Sequence, residues 1–301
     1  MIKPIADIIR KTGIFCDSVL GECVKAYLRM KGFECSGSGV YGGAPRKERV
    51  IVSLTSYGRR VESVLPFTIY SLLHQRMKPD MVVLWLDRDN WNASNIPPRL
   101  QVLQRAGLTI RFCDDLRSYK KHVPALEEFP DDLVITVDDD FYYSSDFIGR
   151  LVEAWHADPT RIYTHRAHRP LFAADGSLKP YNDWQMLIHG TAESPVFATT
   201  GGGCLFRRDL LHADATDAGL FRELCPMADD VWFYFMGVLA GTPTEVLPFR
   251  PYAMIPLDNF FQVTHKGTNL SSVNCKESYN DTQIKNVMKH YGISPADLVL
   301  R

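Results

Sequence analysis

The sequence predicts an α/β fold in which helices flank a mostly parallel central sheet. Two observations predict it. Short apolar, β-branched segments alternate with segments whose apolar residues recur at helical spacing, and polar residues follow the apolar segments directly. The composition agrees, because 46% hydrophobic and 23% charged residues in a chain of 301 are ordinary for a globular protein. A disordered chain, a collagen and a coiled coil are thereby excluded.

The first half of the chain has the clearest alternation. Its apolar runs, such as RVIVSLT and LVITV, predict strands over 49–55, 81–86, 108–112 and 133–137. Helical spacing predicts helices over 61–73, 97–105, 123–129 and 145–156. Since parallel sheets bind ligands at the carboxyl ends of their strands, the polar residues after each strand are the first candidates for a site.

The second half is less regular. We expect a strand over 161–165, a loop-rich stretch over 166–194, a buried helix over 229–240, a polar closing loop over 264–279 and a last helix over 280–291. Asn280 is the expected cap of that last helix, and Gly292 is its expected stop.

The N-terminal residues 1–34 form a separate amphipathic segment in which basic residues outnumber acidic ones. Gly13 and Gly21 weaken its prediction as one continuous helix. Two interpretations stay open: the segment packs on the main domain, or it contacts a partner or an anionic membrane surface. A Gly-rich stretch over 36–43 reads as a linker, so we expect an N-terminal unit over 1–48 and a main domain over 49–301.

Charge and cysteine content narrow the protein's class. The formal net charge is -1, with Lys+Arg 34 and Asp+Glu 35, so a protein held to nucleic acid over its whole surface is not expected. The sequence contains neither a long apolar run nor a signal-peptide pattern. Seven cysteines without a C-x-x-C pair predict reduced thiols and no zinc site. We therefore expect a cytoplasmic location.

The triple aspartate Asp138–Asp140 is the sharpest feature of the sequence. Three adjacent carboxylates after an apolar strand repel one another, so stability does not explain them. If the backbone stays extended, Asp138 and Asp140 point to one side and Asp139 to the other. Two carboxylates on one side suit a hard divalent cation such as Mg²⁺ or Mn²⁺. A solvated acidic turn is the alternative.

Four further motifs accompany it in a fixed order. The five segments are VIVSLTSY (50–57), SYKKHVPAL (118–126), DDD (138–140), GGGCLF (201–206) and ADDVW (228–232). This set resembles the GT-A glycosyltransferases, whose D-x-D motif follows a core strand and binds a metal with a nucleotide-sugar diphosphate. The resemblance covers about residues 49–291. It lies closest to bacterial enzymes that build capsule, O-antigen or lipopolysaccharide glycans.

The resemblance implies a GT-A (Rossmann-like) catalytic domain with a donor half over about 49–160 and an acceptor half over about 161–291. It implies a divalent metal, Mn²⁺ or Mg²⁺, held by Asp138 and Asp140, with His265 as a further ligand; a plain loop histidine is the alternative there. The donor-binding residues that it implies are Thr55, Tyr57, Arg59, Asp87, Lys120, Lys121, Asp138 and Asp139. The competing interpretation is that Thr55, Tyr57 and Arg59 are ordinary loop residues and Asp87 is a helix cap or turn residue. Lys120 and Lys121 would then be an exposed basic pair.

The acceptor side follows from the same resemblance. In its inverting members the last residue of the E/D-D motif is the general base, which corresponds to Asp230. Asp229 departs from the commoner Glu and is expected to bind acceptor hydroxyls, together with Gly202, Gly203 and Trp184. The alternative is that Asp229 and Asp230 only cap the helix over 229–240.

The resemblance therefore implies an inverting, metal-dependent transferase that moves a sugar from a nucleotide-sugar donor to a saccharide acceptor in surface polysaccharide assembly. The resembled family favours a UDP-sugar as the donor. A lipid-linked acceptor would place it at the inner membrane face, with residues 1–34 as the contact. A metal-dependent phosphohydrolase or phosphotransferase using Asp138 and Asp140 is the main alternative. A non-catalytic sugar- or nucleotide-binding protein is the third hypothesis.

Overall fold

The computed structural model describes residues 2–33, 35–259 and 279–299, and the side chains from Phe15 onward within those ranges. Its strands, in chain order, are β1 (Val50–Thr55), β2 (Met81–Asp87), β3 (Leu108–Cys113), β4 (Leu133–Thr136), β5 (Phe141–Tyr143), β6 (Ile162–Thr164), β7 (Ala167–Arg169), β8 (Gln185–Ile188), β9 (Phe197–Ala198), β10 (Cys204–Phe206), β11 (Thr244–Val246) and β12 (Met254–Pro256).

The α-helices lie between these strands and at both ends of the described chain. They are α1 (Ile2–Lys31), α2 (Arg60–Ser63), α3 (Leu65–Leu73), α4 (Pro98–Arg105), α5 (Val123–Glu128), α6 (Phe147–Ala157), α7 (Ala218–Leu224), α8 (Asp229–Ala240) and α9 (Tyr279–Tyr291). Two short 3₁₀ helices matter for the site, Arg117–Lys121 and Thr200–Gly202.

Seven strands form the central sheet, in the order β11–β6–β10–β4–β1–β2–β3. The strands β4, β1, β2 and β3 are mutually parallel, and β11 is parallel to β6. Strand β10 is antiparallel to both of its neighbours. The predicted class, a mostly parallel sheet flanked by helices, is confirmed.

Burial explains why the first-half strands were visible in the sequence. Strands β1, β2 and β4 are covered on both faces, so their side chains are almost all buried and their apolar runs are continuous. Their carboxyl ends meet at one edge of the sheet because they run in the same direction. Ser56 follows β1, Asp87 ends β2 and Asp138 lies two residues after β4, so all three lie at that edge.

The helix predicted over 61–73 is divided in two. Helix α2 ends at Ser63, Val64 adopts φ −128, and α3 begins at Leu65 with Pro66 in its first turn. Proline has no backbone N–H, and inside a longer helix its ring would clash with the carbonyl oxygen four residues earlier, which makes one helix through this point costly. The break gives α2 its own direction, and Arg60 lies at its start.

The N-terminal segment is one helix, although its glycines had weakened that prediction. A Cβ at Gly21 would overlap the carbonyl oxygen of Pro256 in β12, so the glycine permits close packing of α1 on that strand. Lys25 Nζ donates to the carbonyl oxygen of Leu257 at 2.8 Å. Packing on the main domain is therefore observed.

Two predictions of the second half need correction. The stretch over 166–194 contains β7 and β8, which with β9 form a three-stranded antiparallel sheet. Asn280 lies inside α9, which includes Tyr279, so it is not the cap of that helix. The closing loop predicted over 264–279 lies, up to residue 278, outside the described residues. The strand over 161–165 and the helix over 229–240 are confirmed as β6 and α8.

No helix in the described ranges is long and apolar enough to cross a bilayer. The cysteines at 16, 23, 35, 113, 204 and 225 are all free, as the reduced-thiol prediction requires.

Candidate active site

The triple aspartate lies in the turn that follows β4, so the expectation of extended backbone there is wrong. The turn is anchored by Tyr143, whose hydroxyl is 3.0 Å from the Asp138 nitrogen and 3.1 Å from its carbonyl oxygen. Asp139 is buried, and its carboxylate accepts a hydrogen bond from the Ser56 hydroxyl. Asp139 is therefore directed into the protein, and its predicted donor-binding role does not fit this position.

Arg60, which the sequence motifs did not single out, joins the aspartates to a more distant carboxylate. Its guanidinium lies 2.9 Å from Asp139, 3.2 Å from Asp140 and 3.2 Å from Asp258. Asp258 is itself held by Arg59 in a two-pronged contact with 2.8 Å to each oxygen. Nothing in the run SYGRR distinguishes Arg60 from Arg59, so this network was not predictable from the motif.

Lys121 connects the two acidic motifs of the sequence. It ends the 3₁₀ helix Arg117–Lys121, and the Ser53 hydroxyl of β1 donates to its carbonyl oxygen at 2.6 Å. Its buried ammonium lies 2.8 Å from Asp138 Oδ1 and 3.1 Å from Asp229 Oδ2. Neighbouring carboxylates raise the pKa of Lys121 despite its burial, so it stays charged. The two predicted lysines, Lys120 and Lys121, are therefore both buried, and they pair with different aspartates.

Asp229 and Asp230 begin α8 side by side but have opposite electrostatics. Burial acts to raise the pKa of Asp229, yet the Lys121 ammonium, His122 and a hydrogen bond from Ser118 together lower that pKa to about 2. Burial and the Asp229 charge raise the pKa of Asp230 to about 6. Asp230 accepts hydrogen bonds from the Thr200 amide at 2.7 Å and the Thr200 hydroxyl at 2.6 Å, both uncharged donors. Only Asp230 thus titrates near neutral pH within this pair.

His122 lies beneath the pair and was also missed. Its ring is fully buried, stacks on Phe233 with 4.1 Å between centroids, and has Nδ1 3.7 Å from Asp229 Oδ2. Burial lowers the pKa of His122 to about 3, so the ring is neutral at pH 7. The neutral His122 ring therefore lies next to Asp229 without adding charge to the site.

The glycine run forms the wall beside Asp138. Gly201 and Gly202 lie in a 3₁₀ turn, and a Cβ at Gly201 would overlap the Asp138 carboxylate. Gly203 has φ +83 and a Cβ there would overlap the Phe147 ring. All three glycines are buried. The sequence predicted Gly202 and Gly203 as acceptor contacts, whereas the structure places them in the backbone that shapes the turn behind the aspartate.

The predicted donor residues differ in how far they are buried and paired within the protein. Lys120 lies 2.8 Å from Asp115 and 3.6 Å from Asp87, so the carboxyl ends of β2 and β3 share one buried cation. The Thr55 hydroxyl donates to the Trp85 carbonyl at 2.8 Å, which satisfies it within the sheet. Tyr57 is the most exposed of the set and lies at the rim of the same edge.

Trp184 is the predicted acceptor residue whose position does not fit its role. It is buried among aromatic rings, with its centroid 5.3 Å from that of Phe197, and its Nε1 donates to the Lys179 carbonyl at 2.9 Å. Stacking on a sugar needs an accessible ring face, so this position indicates packing. His265, the predicted third metal ligand, lies outside the described residues.

Arg166 adds a cation that the sequence did not suggest. It is half-buried, donates from Nε to the Thr199 hydroxyl at 2.6 Å, and lowers the pKa of Asp138 together with Lys121. A Cβ at Gly202 would overlap the Arg166 side chain, which places this cation directly against the glycine turn.

A divalent metal suits the chemistry of this donor set. Asp138 and Asp140 offer hard oxygen ligands, and Mg²⁺ or Mn²⁺ needs only one or two carboxylates when phosphates and water complete its shell. Burial and the adjacent aspartates raise the pKa of Asp140 to about 7, a sign of excess negative charge that a cation would relieve. In the part of the chain that the structure describes, no group of three or more His, Cys, Asp or Glu side chains is arranged to hold a metal by itself.

Comparison with known proteins identifies the fold. No family model matches the sequence, and a search of curated proteins found no match. Among solved structures, a mannosyltransferase from Pyrobaculum calidifontis in complex with GDP-Man and Mn²⁺ has a TM-score of 0.50 at 16% identity, over 100% of this chain and 80% of that chain. The chain has the same mixed α/β, Rossmann-like fold.

A second solved structure is a CMP:2-keto-3-deoxy-manno-octonic acid synthetase complexed with CTP. It has a TM-score of 0.42 and 11% identity, over 67% of this chain and 90% of that chain.

Proposed function

We propose that this protein is an inverting, metal-dependent glycosyltransferase that moves a sugar from a nucleotide-sugar donor to a saccharide acceptor. One observation carries the proposal: the Lys121 ammonium contacts both Asp138 and Asp229. This contact brings the D-x-D turn and the start of α8 into one site. Thr200 extends the network to Asp230. Donor chemistry and acceptor activation need to be this close for transfer between bound partners.

On the donor side, Asp138 and Asp140 are the residues that would hold a divalent metal. Bound there, the metal would act as a Lewis acid on the diphosphate leaving group. Lys121 provides a fixed positive charge at the same place, which stabilises negative charge as it develops on the leaving oxygen. Its two carboxylate contacts hold the ammonium in position, so no reorganisation is needed during the reaction.

On the acceptor side, Asp230 is the proposed general base. An acceptor hydroxyl gives its proton to a carboxylate oxygen of Asp230 as the hydroxyl oxygen bonds to the anomeric carbon. The bond from that carbon to the diphosphate oxygen breaks, and the nucleoside diphosphate leaves with the electron pair. A base pKa of about 6 suits proton acceptance at neutral pH, because the carboxylate is ionised and still basic.

Other site residues receive narrower roles. We assign Asp87, Lys120, Tyr57 and Arg59 to the nucleotide end of the donor, since they line the same sheet edge as Asp138. Asp229, ionised and tied to Lys121, is assigned to positioning that lysine. We also propose that residues 49–301 form one catalytic domain, with a donor half over about 49–160 and an acceptor half over about 161–291.

The fold likeness supports nucleotide-sugar chemistry in outline. The neighbour from Pyrobaculum calidifontis is a mannosyltransferase that was solved with GDP-Man and Mn²⁺. For this chain we therefore propose Mn²⁺ or Mg²⁺ and a nucleotide sugar, and both UDP and GDP donors need testing. Assembly of a capsule, O-antigen or lipopolysaccharide glycan in the cytoplasm is the proposed setting.

Helix α1 supports the proposed peripheral membrane contact. Its buried side includes Ser18, Gly21 and Lys25, whereas its exposed side carries an apolar stripe of Phe15, Val19, Cys23, Tyr27 and Met30. Four of these five residues are between 40% and 82% exposed as large apolar side chains. Exposed Arg29 and Lys31 flank the end of the stripe and complement an anionic lipid surface.

Nucleotide titration tests the donor side of the proposal. UDP, GDP and CMP are added to the protein with and without Mn²⁺, and binding is measured by calorimetry. We expect one nucleotide to bind and its affinity to rise with Mn²⁺. Transfer is then assayed with the matching sugar nucleotides, with a phosphomonoester as comparison. Metal-dependent hydrolysis of the phosphomonoester without sugar transfer would favour the phosphohydrolase.

Vesicle sedimentation tests the membrane contact separately. The full chain and a Phe15→Ser, Tyr27→Ser, Met30→Ser variant are mixed with vesicles containing anionic lipid. Because these side chains are exposed, the variant should fold normally and lose vesicle binding. Equal binding of the two proteins would remove the membrane role of α1 and leave the transferase proposal intact.

A further inference from the structure

Arg60 is the structural feature that the transferase chemistry above does not use. Its guanidinium serves three carboxylates, Asp139, Asp140 and Asp258, at 2.9, 3.2 and 3.2 Å. The side chain is 14% exposed, so these contacts are shielded from water and depend on one another. One of the three, Asp140, is a proposed ligand of the metal.

The three contacts differ in how firmly their carboxylates are held. Asp258 is buried and also takes the two-pronged contact of Arg59. Asp139 is buried, accepts a hydrogen bond from Ser56, and its carbonyl oxygen accepts one from the Thr68 hydroxyl at 2.8 Å. The Asp140 side chain is 14% exposed, against 7% for Asp139 and 3% for Asp258, so it is the most accessible of the three carboxylates. Arg60 is therefore anchored on two deeper carboxylates and also contacts the more accessible Asp140.

We propose that Arg60 is a positioning residue that occupies Asp140 in the free protein and makes metal binding depend on the bound diphosphate. This inference rests on the proposed function. A guanidinium and a divalent cation at the same carboxylate repel each other. The diphosphate brings the negative charge that lets both cations stay.

The consequence is thermodynamic coupling. If a nucleoside diphosphate strengthens Mn²⁺ binding by some factor, then Mn²⁺ must strengthen nucleotide binding by the same factor. Arg60 enlarges that factor because it weakens the binding of metal alone. In the absence of nucleotide, the site would then hold its own cation and resist stray divalent ions.

The test measures Mn²⁺ binding by electron paramagnetic resonance, with and without the nucleoside diphosphate that the titration above identifies, at pH 8. In the natural protein we expect the nucleotide to tighten Mn²⁺ binding about 100-fold, within the usual range of coupling. Arg60→Met should bind Mn²⁺ alone roughly tenfold more tightly and retain about a tenfold smaller coupling. Arg49→Met is the matched control, since Arg49 pairs with Asp132 away from the site.

Each result is decisive. Unchanged coupling in Arg60→Met, with coupling present in the natural protein, would overturn the role of Arg60 and spare the proposed function. No Mn²⁺ binding by the natural protein under any condition would overturn both. If Arg60→Met does not fold by circular dichroism, Arg60→Lys replaces it. A lysine keeps the charge but cannot fork between three carboxylates, so intermediate coupling is expected and unchanged coupling would again contradict the inference.

Discussion

The turn after β4 and the start of α8 invite comparison, because each presents adjacent aspartates at the same edge of the sheet. In each, one carboxylate lies on Lys121 and has a lowered pKa: Asp138 in the turn and Asp229 in the helix. In each, a second carboxylate has a raised pKa, about 7 for Asp140 and about 6 for Asp230.

The two regions differ in what faces the second carboxylate. Asp140 faces the guanidinium of Arg60, whereas Asp230 faces the amide and hydroxyl of Thr200. Burial and the neighbouring aspartates raise the pKa of Asp140 to about 7, even though the Arg60 guanidinium favours its ionised form. That guanidinium can be exchanged for another cation. Neutral donors orient a carboxylate and leave it able to accept a proton. The same residue type therefore suits metal binding in one region and base catalysis in the other.

The largest effect should come from the base. Asp230→Asn keeps the side chain's shape but cannot accept the proton, so turnover should fall about 1000-fold. Steady-state kinetics measures turnover, and nucleotide titration should give an unchanged affinity. Near-normal turnover would remove Asp230 from the mechanism and end the contrast between the two regions.

Lys121 is the link that the two regions share. Lys121→Met leaves Asp138 and Asp229 without their common cation, and breaking a buried ion pair costs about 3 kcal/mol of stability. Urea denaturation measures the free energy of unfolding. The exposed Lys285→Met is the control and should change stability by less than about 0.5 kcal/mol. A small loss for both variants would show that the two regions are held independently.

The metal side should respond to Asp140→Ala. The nucleotide should lose the part of its affinity that depends on Mn²⁺, on the order of 10- to 100-fold. Calorimetry with and without Mn²⁺ measures this part. Asp131→Ala, an exposed acid that precedes β4, is the matched control. If the Mn²⁺-dependent affinity persists without the Asp140 carboxylate, the turn is not the metal side.

The pH profile sharpens the contrast further. The pKa of Asp230 is raised to about 6, so the carboxyl is protonated below that pH and cannot serve as a base. Turnover at saturating Mn²⁺ and substrates should fall about tenfold per pH unit below about 6 and level off above it. The residual activity of Asp230→Asn should lack this limb. A limb that persists in the variant would belong to another group.

The smallest effect is expected at Trp184. Trp184→Phe keeps an aromatic ring in the buried cluster, so the KM for the acceptor should stay within about twofold while stability falls by about 1 kcal/mol. Acceptor kinetics and thermal unfolding separate the two. A tenfold rise in the acceptor KM with little loss of stability would restore the acceptor role predicted from the sequence.

Several parts of the fold were predictable because a local pattern was enough. Strands β1, β2 and β4 are buried on both faces, and only continuous apolar runs can fill such positions. Helix α8 was predicted at its observed bounds, and in the structure it ends at Gly241, which is in the αL conformation. Helix α1 was harder, since the reason for Gly21 is the carbonyl oxygen of Pro256, far away in sequence.

Individual residues of the candidate site could be predicted from the sequence, but the contacts between their side chains could not. Asp138, Asp140, Lys121 and Asp230 could be named because motif order and strand ends are sequence properties. Arg60 and Asp258 could not be named, because their roles depend on α2, the turn after β4 and the residues after β12 meeting in the fold. Trp184 was misjudged for the same reason: exposure of a ring is set by what packs over it.

By itself, the sequence determined the α/β class and the sheet edge where polar residues gather, because apolar periodicity and strand direction dictate both. It also contained the two acidic motifs, of which the second was recognised through the family resemblance. The tertiary structure decided which aspartate is a candidate metal ligand, which is a candidate base and which is buried as an anchor. The physical reason is that a carboxylate's pKa depends on burial and on the charges within a few ångströms. Those neighbours come from α2, the 3₁₀ helix Arg117–Lys121 and the glycine turn, which only folding brings together.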